Sequence, residues 1–326
     1  MKKLESYLKR FAALRSDTSQ SRWPATTNYR APHKPLLLLA VMDLIAEGTV
    51  SANLVEVTPD LGELFTLYWS RVMPPDQHGN LALPFFHLKS DGFWHLTPQP
   101  GKKSIVEGSE QIKSVSRLRE LIVGARLDEE LYQLMQNVRS REQLRALLIE
   151  KYFTPELHPG LMEQGIINLE AYNYSQILLE QAKKQKDSKP ISALSVRHAA
   201  RDQGFRRAVV TAYDHRCAVC GLRMLTADGH TVVDAAHIKP WSVSFNDNPR
   251  NGVALCKLCH WTFDEGMISV SSKYIVVTSP QLSVNRNIPG HVITFASREI
   301  IGPKEETLWP DLEALDWHRQ NVFRRR

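Results

Sequence analysis

The sequence predicts an α+β chain of two domains, a mixed helical and β domain first and a loop-rich, cysteine-bearing domain second. Three observations lead there. The chain has 326 residues, more than one core of common size organises. Its first half alternates helical apolar patterns with short extended runs. Its four cysteines all fall between positions 217 and 259.

The elements follow in order. "MKKLESYLKRFAAL" sets Leu4, Leu8, Phe11 and Ala12 on one helical face. Glu5, Lys9 and Arg10 interrupt any apolar run there, which argues against a signal peptide. No stretch approaches the roughly 20 apolar residues of a membrane span, so a cytoplasmic protein without membrane contact is expected. "HKPLLLLAVMDLIAEG" reads as a buried helix with Pro35 in its first turn and Gly48 at its end. "LGELFTLYWSRV" reads as a second helix. "LALPFFHLKSDGFWHLTP" reads as two short strands around Ser90-Asp91-Gly92. From about 115 to 153 the pattern is helical, and Ser140 with Gln143 fits a capping box.

"LEAYNYSQILLEQAKKQKDSKP" begins as a helix and dissolves into a lysine-rich stretch, so 183–195 reads as a linker. The expected organisation is thus 1–165 as one domain, 166–195 as helical connector and linker, and 196–326 as the second domain. "VRHAARDQGFRRAVVTAYDHRC" continues as a helix, and "HTVVDAAHI" and "MISVSSKYIVVTS" read as strands. The final "RRR" reads as a solvated tail.

Lys and Arg number 41 against 35 Asp and Glu, a formal charge of +6. This excess is compatible with an acidic polymer as partner but does not select one. Between Arg197 and Arg216 five arginines face two aspartates. Such a run is a solvated face or a phosphate contact, with Arg206 and Arg207 as the candidates.

Cys217-x2-Cys220 and Cys256-x2-Cys259 are two knuckles separated by 35 residues. Four thiolates satisfy a tetrahedral zinc and leave no open position, so this Zn2+ would be structural. It therefore does not account for His260, which touches the second knuckle. A separate centre is expected from His237, Asn251, His260 and Asp264. If 259–264 is helical, His260 and Asp264 share a face while Cys259 turns towards the zinc.

The order His237, Asn251, His260 on strand, loop and helix resembles the HNH endonucleases of the ββα-metal superfamily. With its cysteine pairs it resembles the McrA-like restriction nucleases, over about 197–280. The resemblance implies a ββα-metal fold in which His237 is the general base, Asn251 holds the loop, and His260 binds a catalytic Mg2+ or Mn2+. That chemistry suits an anionic phosphodiester, with imidazole taking a proton from water beside a hard cation. Many relatives carry a metal ligand immediately before the base, where this chain has Ala236. Asp234 could replace it if the strand bulges, or it only fixes backbone geometry. Asp264 is a second candidate ligand, or a cap for the following turn. Ala236 also keeps open a DNA-binding protein with an inactive nuclease centre.

"RAPHKPLLLL" and "LPFFHLKSDGFWHL" resemble the sulfur-binding domain, over roughly 5–160. That resemblance implies recognition of phosphorothioate-modified double-stranded DNA in a modification-dependent restriction enzyme. Sulfur is larger, softer and less hydrated than the oxygen it replaces, so an apolar pocket accepts it. The resemblance places Leu83, Pro84 and His87 at that pocket and His33 and Lys34 on phosphate or nearby bases. Leu83 stands where the family pocket usually has an aromatic residue. Another mark, such as a methylated base, is the alternative target. One HNH centre cuts one strand, which makes a homodimer plausible.

Overall fold

The computed structural model describes residues 2–108, 112–184, 196–226, 230–284 and 292–325. It divides into two compact units, one gathering 1–169 with 226–230, the other 170–225 with 231–326. Most of the expected linker, 185–195, lies outside the described residues. No helix among the described residues is long and apolar enough to cross a membrane.

The first unit carries, in order, α1 (Lys2–Ala12), α2 (His33–Ala46), β1 (Val55–Glu56), α3 (Pro59–Val72), α4 (Ala82–His87), β2 (Trp94–Pro98), α5 (Lys103–Glu107), α6 (Val115–Leu121), β3 (Ile122–Leu127), α7 (Glu129–Gln136), α8 (Val138–Tyr152) and the start of α9 (His158–Lys184). Helix α2 is its axis. Every residue from Lys34 to Ile45 is buried, which is why its sequence is apolar all round rather than on one stripe. Helices α3 and α8 pack on it. The one acid in its apolar run, Asp43, is fully met: Arg145 Nη2 at 2.7 Å, the Tyr68 hydroxyl at 2.8 Å and Asn168 Nδ2 at 2.7 Å.

Three sequence expectations are corrected here. Residues 83–87 are helical, not a strand: Leu81, Ala82, Phe85, Phe86 and Leu88 are buried at helical spacing, and Pro84 sits in the first turn of α4, which tolerates its missing N–H. Only Trp94–Pro98 is a strand, and it pairs antiparallel with β3, Trp94 opposite Leu127. The helical reading of 115–153 missed β3, the central strand of the β1-β3-β2 sheet. The capping box is not formed either. Asn137 caps α8 by accepting from the Ser140 amide at 3.2 Å, while Ser140 Oγ turns back to the Leu134 carbonyl.

The second unit takes the rest of α9, then α10 (His198–Ala212), β4 (Val233–His237), α11 (Trp241–Ser244), β5 (Gly252–Cys256), α12 (Lys257–Asp264), β6 (Ile268–Val270), β7 (Val276–Thr278) and α13 (Leu312–Asn321). Tyr174 and Leu178 of α9 are buried in this unit's core with Phe205, Val209, Leu255 and Phe263. Positions 174 and 178 of the expected connector are thus core material here. Strands β4 and β5 form an antiparallel ladder, and α12 packs on both. Gly252 opens β5 against α10, where a Cβ would stand 2.5 Å from Val209 Cγ2 and 2.9 Å from Phe205 Cζ. The C-terminal stretch is less free than expected: Arg324 donates to the Gly266 carbonyl through its amide and pairs with Glu265 at 2.8 Å.

Candidate functional site

The four cysteines converge. Their sulfurs all lie within 4.8 Å of one another, and Cys220 Sγ is 3.7 Å from Cys256 Sγ. Sulfurs about 2.3 Å from a tetrahedral zinc stand about 3.8 Å apart, so the set has the size of a zinc site. Gly221 turns the first knuckle with φ of +74°, a left-handed conformation that favours glycine. Burial pushes the Cys220 thiol up to about 12, and hydrogen bonding to Cys217 raises Cys259. Four thiolates cannot be packed this closely without a cation among them, so the donor set fits Zn2+. Among the described residues no other group of three or more His, Cys, Asp or Glu side chains is gathered this way.

Beside that cluster stands a strand, loop and helix. His237 ends β4, opposite Gly252 in the ladder. Asn251, 2% exposed, ties the intervening loop: its Oδ1 accepts from the Lys239 amide, and its Nδ2 donates to the Lys239 and Asn246 carbonyls, each at 3.0 Å. His260 and Asp264 share a face of α12, with Nε2 3.4 Å from Oδ2. Burial raises the Asp264 carboxyl, and the His260 ring opposes that. Cys259, one residue before His260, is fully buried in the cysteine cluster.

Asp234 does not join this set. The β4–β5 register runs unbroken, without the bulge that a ligand role required. Three residues apart in a regular strand, Asp234 and His237 point to opposite faces. The Asp234 carboxylate instead accepts from Arg206 Nε at 2.9 Å and from the Ala235 amide. Arg206 is therefore engaged with this acid, and Arg207 lies over the Tyr172 ring at 4.8 Å.

Sequence reasoning missed what surrounds His237. Its Nε2 is 3.0 Å from Asp247 Oδ1, and its ring stacks on Phe205 with centroids 3.8 Å apart and planes within 9°. Asp247 is completely buried; Tyr174 donates to its Oδ2 at 2.9 Å. An aspartate inside the His237–Asn251 loop was visible in the sequence, but nothing there announced its burial.

In the first unit, His33, Lys34, Leu83, Pro84 and His87 all line one cavity of about 660 Å3. Leu83, Pro84 and Trp23 give it apolar wall. His33 lies between two indoles, 5.3 Å from Trp23 and 4.7 Å from Trp69 by ring centroids. Burial pulls its pKa down to about 4, so it is a neutral imidazole near pH 7. Lys34 is not a free cation: its Nζ lies 2.5 Å from Asp91 Oδ2 and 3.4 Å from Ser90 Oγ. His33 and Lys34 thus bring N–H donors rather than unpaired positive charge to the cavity. Burial, then Lys34 and Lys89, lower the His87 pKa as well. Residues that the sequence did not single out, Arg15, Ser16 and Arg22, line the same cavity. Ser16 Oγ is buried without a hydrogen-bond partner.

A ββα unit holding His237, Asn251 and His260 beside a four-cysteine cluster defines a class. Residues 217–271 match the family described as HNH endonuclease, so the second unit carries an HNH-type DNA endonuclease domain. Residues 5–168 match the family described as ScoMcrA-like, DNA sulfur-binding domain. That match covers half of the chain, and the chain belongs to this family. No curated protein matches the sequence. Among solved structures it is similar to one titled "Modification dependent TagI restriction endonuclease", at 24% identity and a TM-score of 0.29. The likeness covers 39% of this chain and 40% of that one.

Proposed function

We propose that the protein is a modification-dependent DNA endonuclease whose first unit reads phosphorothioate-modified duplex DNA and whose second unit hydrolyses a phosphodiester nearby. The observation that carries this reading is the shared cavity. Two segments about fifty residues apart, His33–Lys34 and Leu83–His87, reach it together. Its chemistry suits a phosphorothioate group. Leu83 and Pro84 offer apolar surface to sulfur, where an anionic oxygen would forfeit its water. The neutral His33 and the tethered Lys34 ammonium offer N–H donors to the remaining oxygens. The exposed Arg15 at the same cavity adds a cation.

In the second unit His237 takes the proton from the attacking water, and Asn251 holds the loop that carries the chain away from His237. His260 and Asp264 fit a hard divalent cation, Mg2+ or Mn2+, as an imidazole and a carboxylate on one helical face. Such a cation supplies charge neutralisation at the scissile phosphate and at the leaving oxygen. Each centre breaks one strand, so a double-strand cut takes two molecules, as in a homodimer, or two events.

A flipped, modified base is the second reading, favoured by the Trp23 indole edge-on to the His33 ring at the cavity. Binding and cleavage of one duplex, with and without a phosphorothioate of defined stereochemistry, separate the two. The sulfur reading expects tighter binding and faster cleavage of one stereoisomer. Equal affinity for all duplexes would remove it. His237→Ala should abolish cleavage and preserve binding; cleavage that survives the change would remove the catalytic assignment.

A further inference from the structure

We infer that Asp247 is the positioning residue for the catalytic base: it fixes which ring nitrogen of His237 carries the proton and so which one attacks water's proton. The inference rests on His237 being the base, and it goes beyond that reading by assigning its tautomer and the group that sets it.

The argument starts from hydrogen-bond inventory. An ionised carboxylate only accepts, so the His237 nitrogen 3.0 Å from Asp247 Oδ1 must donate. That nitrogen is Nε2, which leaves Nδ1 as the bare acceptor. Base catalysis by neutral imidazole needs one such free lone pair, and the opposite nitrogen's partner decides which it is. His237 has 22% of its side chain exposed while Asp247 has 1%, so the acid is the anchored member of the pair.

The anchor is itself held. Tyr174 on α9 donates to Asp247 Oδ2 at 2.9 Å. Arg201 on α10 brings its Nε within 3.6 Å of the same oxygen, stacks on Trp241 at 3.7 Å, and also bonds Asp202. This guanidinium is the cationic partner of a fully buried carboxylate. Phe205, also on α10, stacks flat on the imidazole and fixes the ring plane that Asp247 alone would leave free to pivot. Lys239, two residues beyond His237, is the charged group on the chain leaving β4. Loop closure does not require Asp247, because Asn251 already bonds the two ends of the loop at Lys239 and Asn246.

The test uses the full-length protein with Mn2+ and a phosphorothioate-containing duplex, under single turnover. Asp247→Asn should cut about 100-fold more slowly, as loss of an orienting partner does elsewhere. DNA affinity and zinc content should stay at the wild-type value. Its pH–rate profile should shift from the wild-type one, because an amide does not stabilise the imidazolium that His237 becomes on taking water's proton. Asp247→Glu should recover part of the rate. An Asp247→Asn protein that cuts within threefold of wild type with an unmoved pH profile would overturn the inference. A second measurement needs no variant of Asp247. In protein labelled with 15N-histidine, and assigned against His237→Ala, long-range 1H–15N spectra should show His237 as the Nε2–H tautomer. The Nδ1–H tautomer would overturn the inference. Cleavage by His237→Ala would instead defeat the underlying reading of His237, so the two failures are distinct.

Discussion

His260 and Cys259 are neighbours in α12 that face different centres. Cys259 is fully buried among the four sulfurs, while His260 turns to Asp264, 3.4 Å away one turn later. Adjacent helical residues project about 100° apart, so one short helix sends Cys259 into the cysteine cluster and His260 to a different face.

The pair on α12 should set the demand for the catalytic cation. Asp264→Asn should raise the Mn2+ concentration for half-maximal cleavage by about 10- to 100-fold. Titrating the metal in single-turnover cleavage measures it. An unchanged metal requirement would show that Asp264 only caps its turn.

The cysteine cluster should hold one zinc per chain and support folding of the second unit. Cys259→Ser should lose that zinc, measured by atomic emission on purified protein. It should also abolish the second unit's cooperative melting, because binding free energy at such a site is folding free energy. The first unit has its own core and should melt as before.

In the first unit Arg145→Met should be strongly destabilising. It leaves Asp43, 1% exposed, without its cation. Breaking a buried pair from one side costs about 3–5 kcal/mol. Urea denaturation followed by tryptophan fluorescence checks this, and the Asp43→Asn, Arg145→Met double variant should recover part of the loss.

The second unit should lose stability in mild acid through His318. Its Nε2 donates to the Phe263 carbonyl at 3.1 Å, and Nδ1 accepts from Ser269 Oγ at 2.8 Å. Burial lowers its pKa from 6.5 to about 4. The folded form therefore resists a proton that the unfolded form accepts. Its contribution is complete above pH 6.5 and falls away as pH drops towards 4, by at most about 3 kcal/mol. Melting temperatures between pH 4 and 7 measure the slope, and His318→Gln should flatten it.

Much of the candidate site was legible in one dimension. Two-residue spacing named the four cysteines that converge, because a knuckle is a local turn. Helical periodicity paired His260 with Asp264, because four residues return to one face. The residues of the first unit's cavity were named through a family likeness while the local structure around Leu83–His87 was misread. "LPFFH" contains apolar and aromatic residues that suit strand or helix, and burial of Leu81, Ala82, Phe85, Phe86 and Leu88 at helical spacing is a tertiary fact that accompanies α4. Strand β3 was hidden for the converse reason: its two partners lie about thirty and seventy residues away in the chain.

What the sequence determined by itself were the features whose partners lie within a turn or a knuckle: α+β content, two cysteine pairs spaced for a metal, and the imidazole–carboxylate pair on α12. What the tertiary structure decided were the charges and the pairings. Burial made His33 neutral, Asp91 claimed Lys34, Arg206 claimed Asp234, and Asp247 met His237 with Tyr174 behind it. The physical reason is that desolvation and pairing depend on distance in space. Tyr174 and Asp247 are 73 residues apart in sequence and 2.9 Å apart in the folded chain.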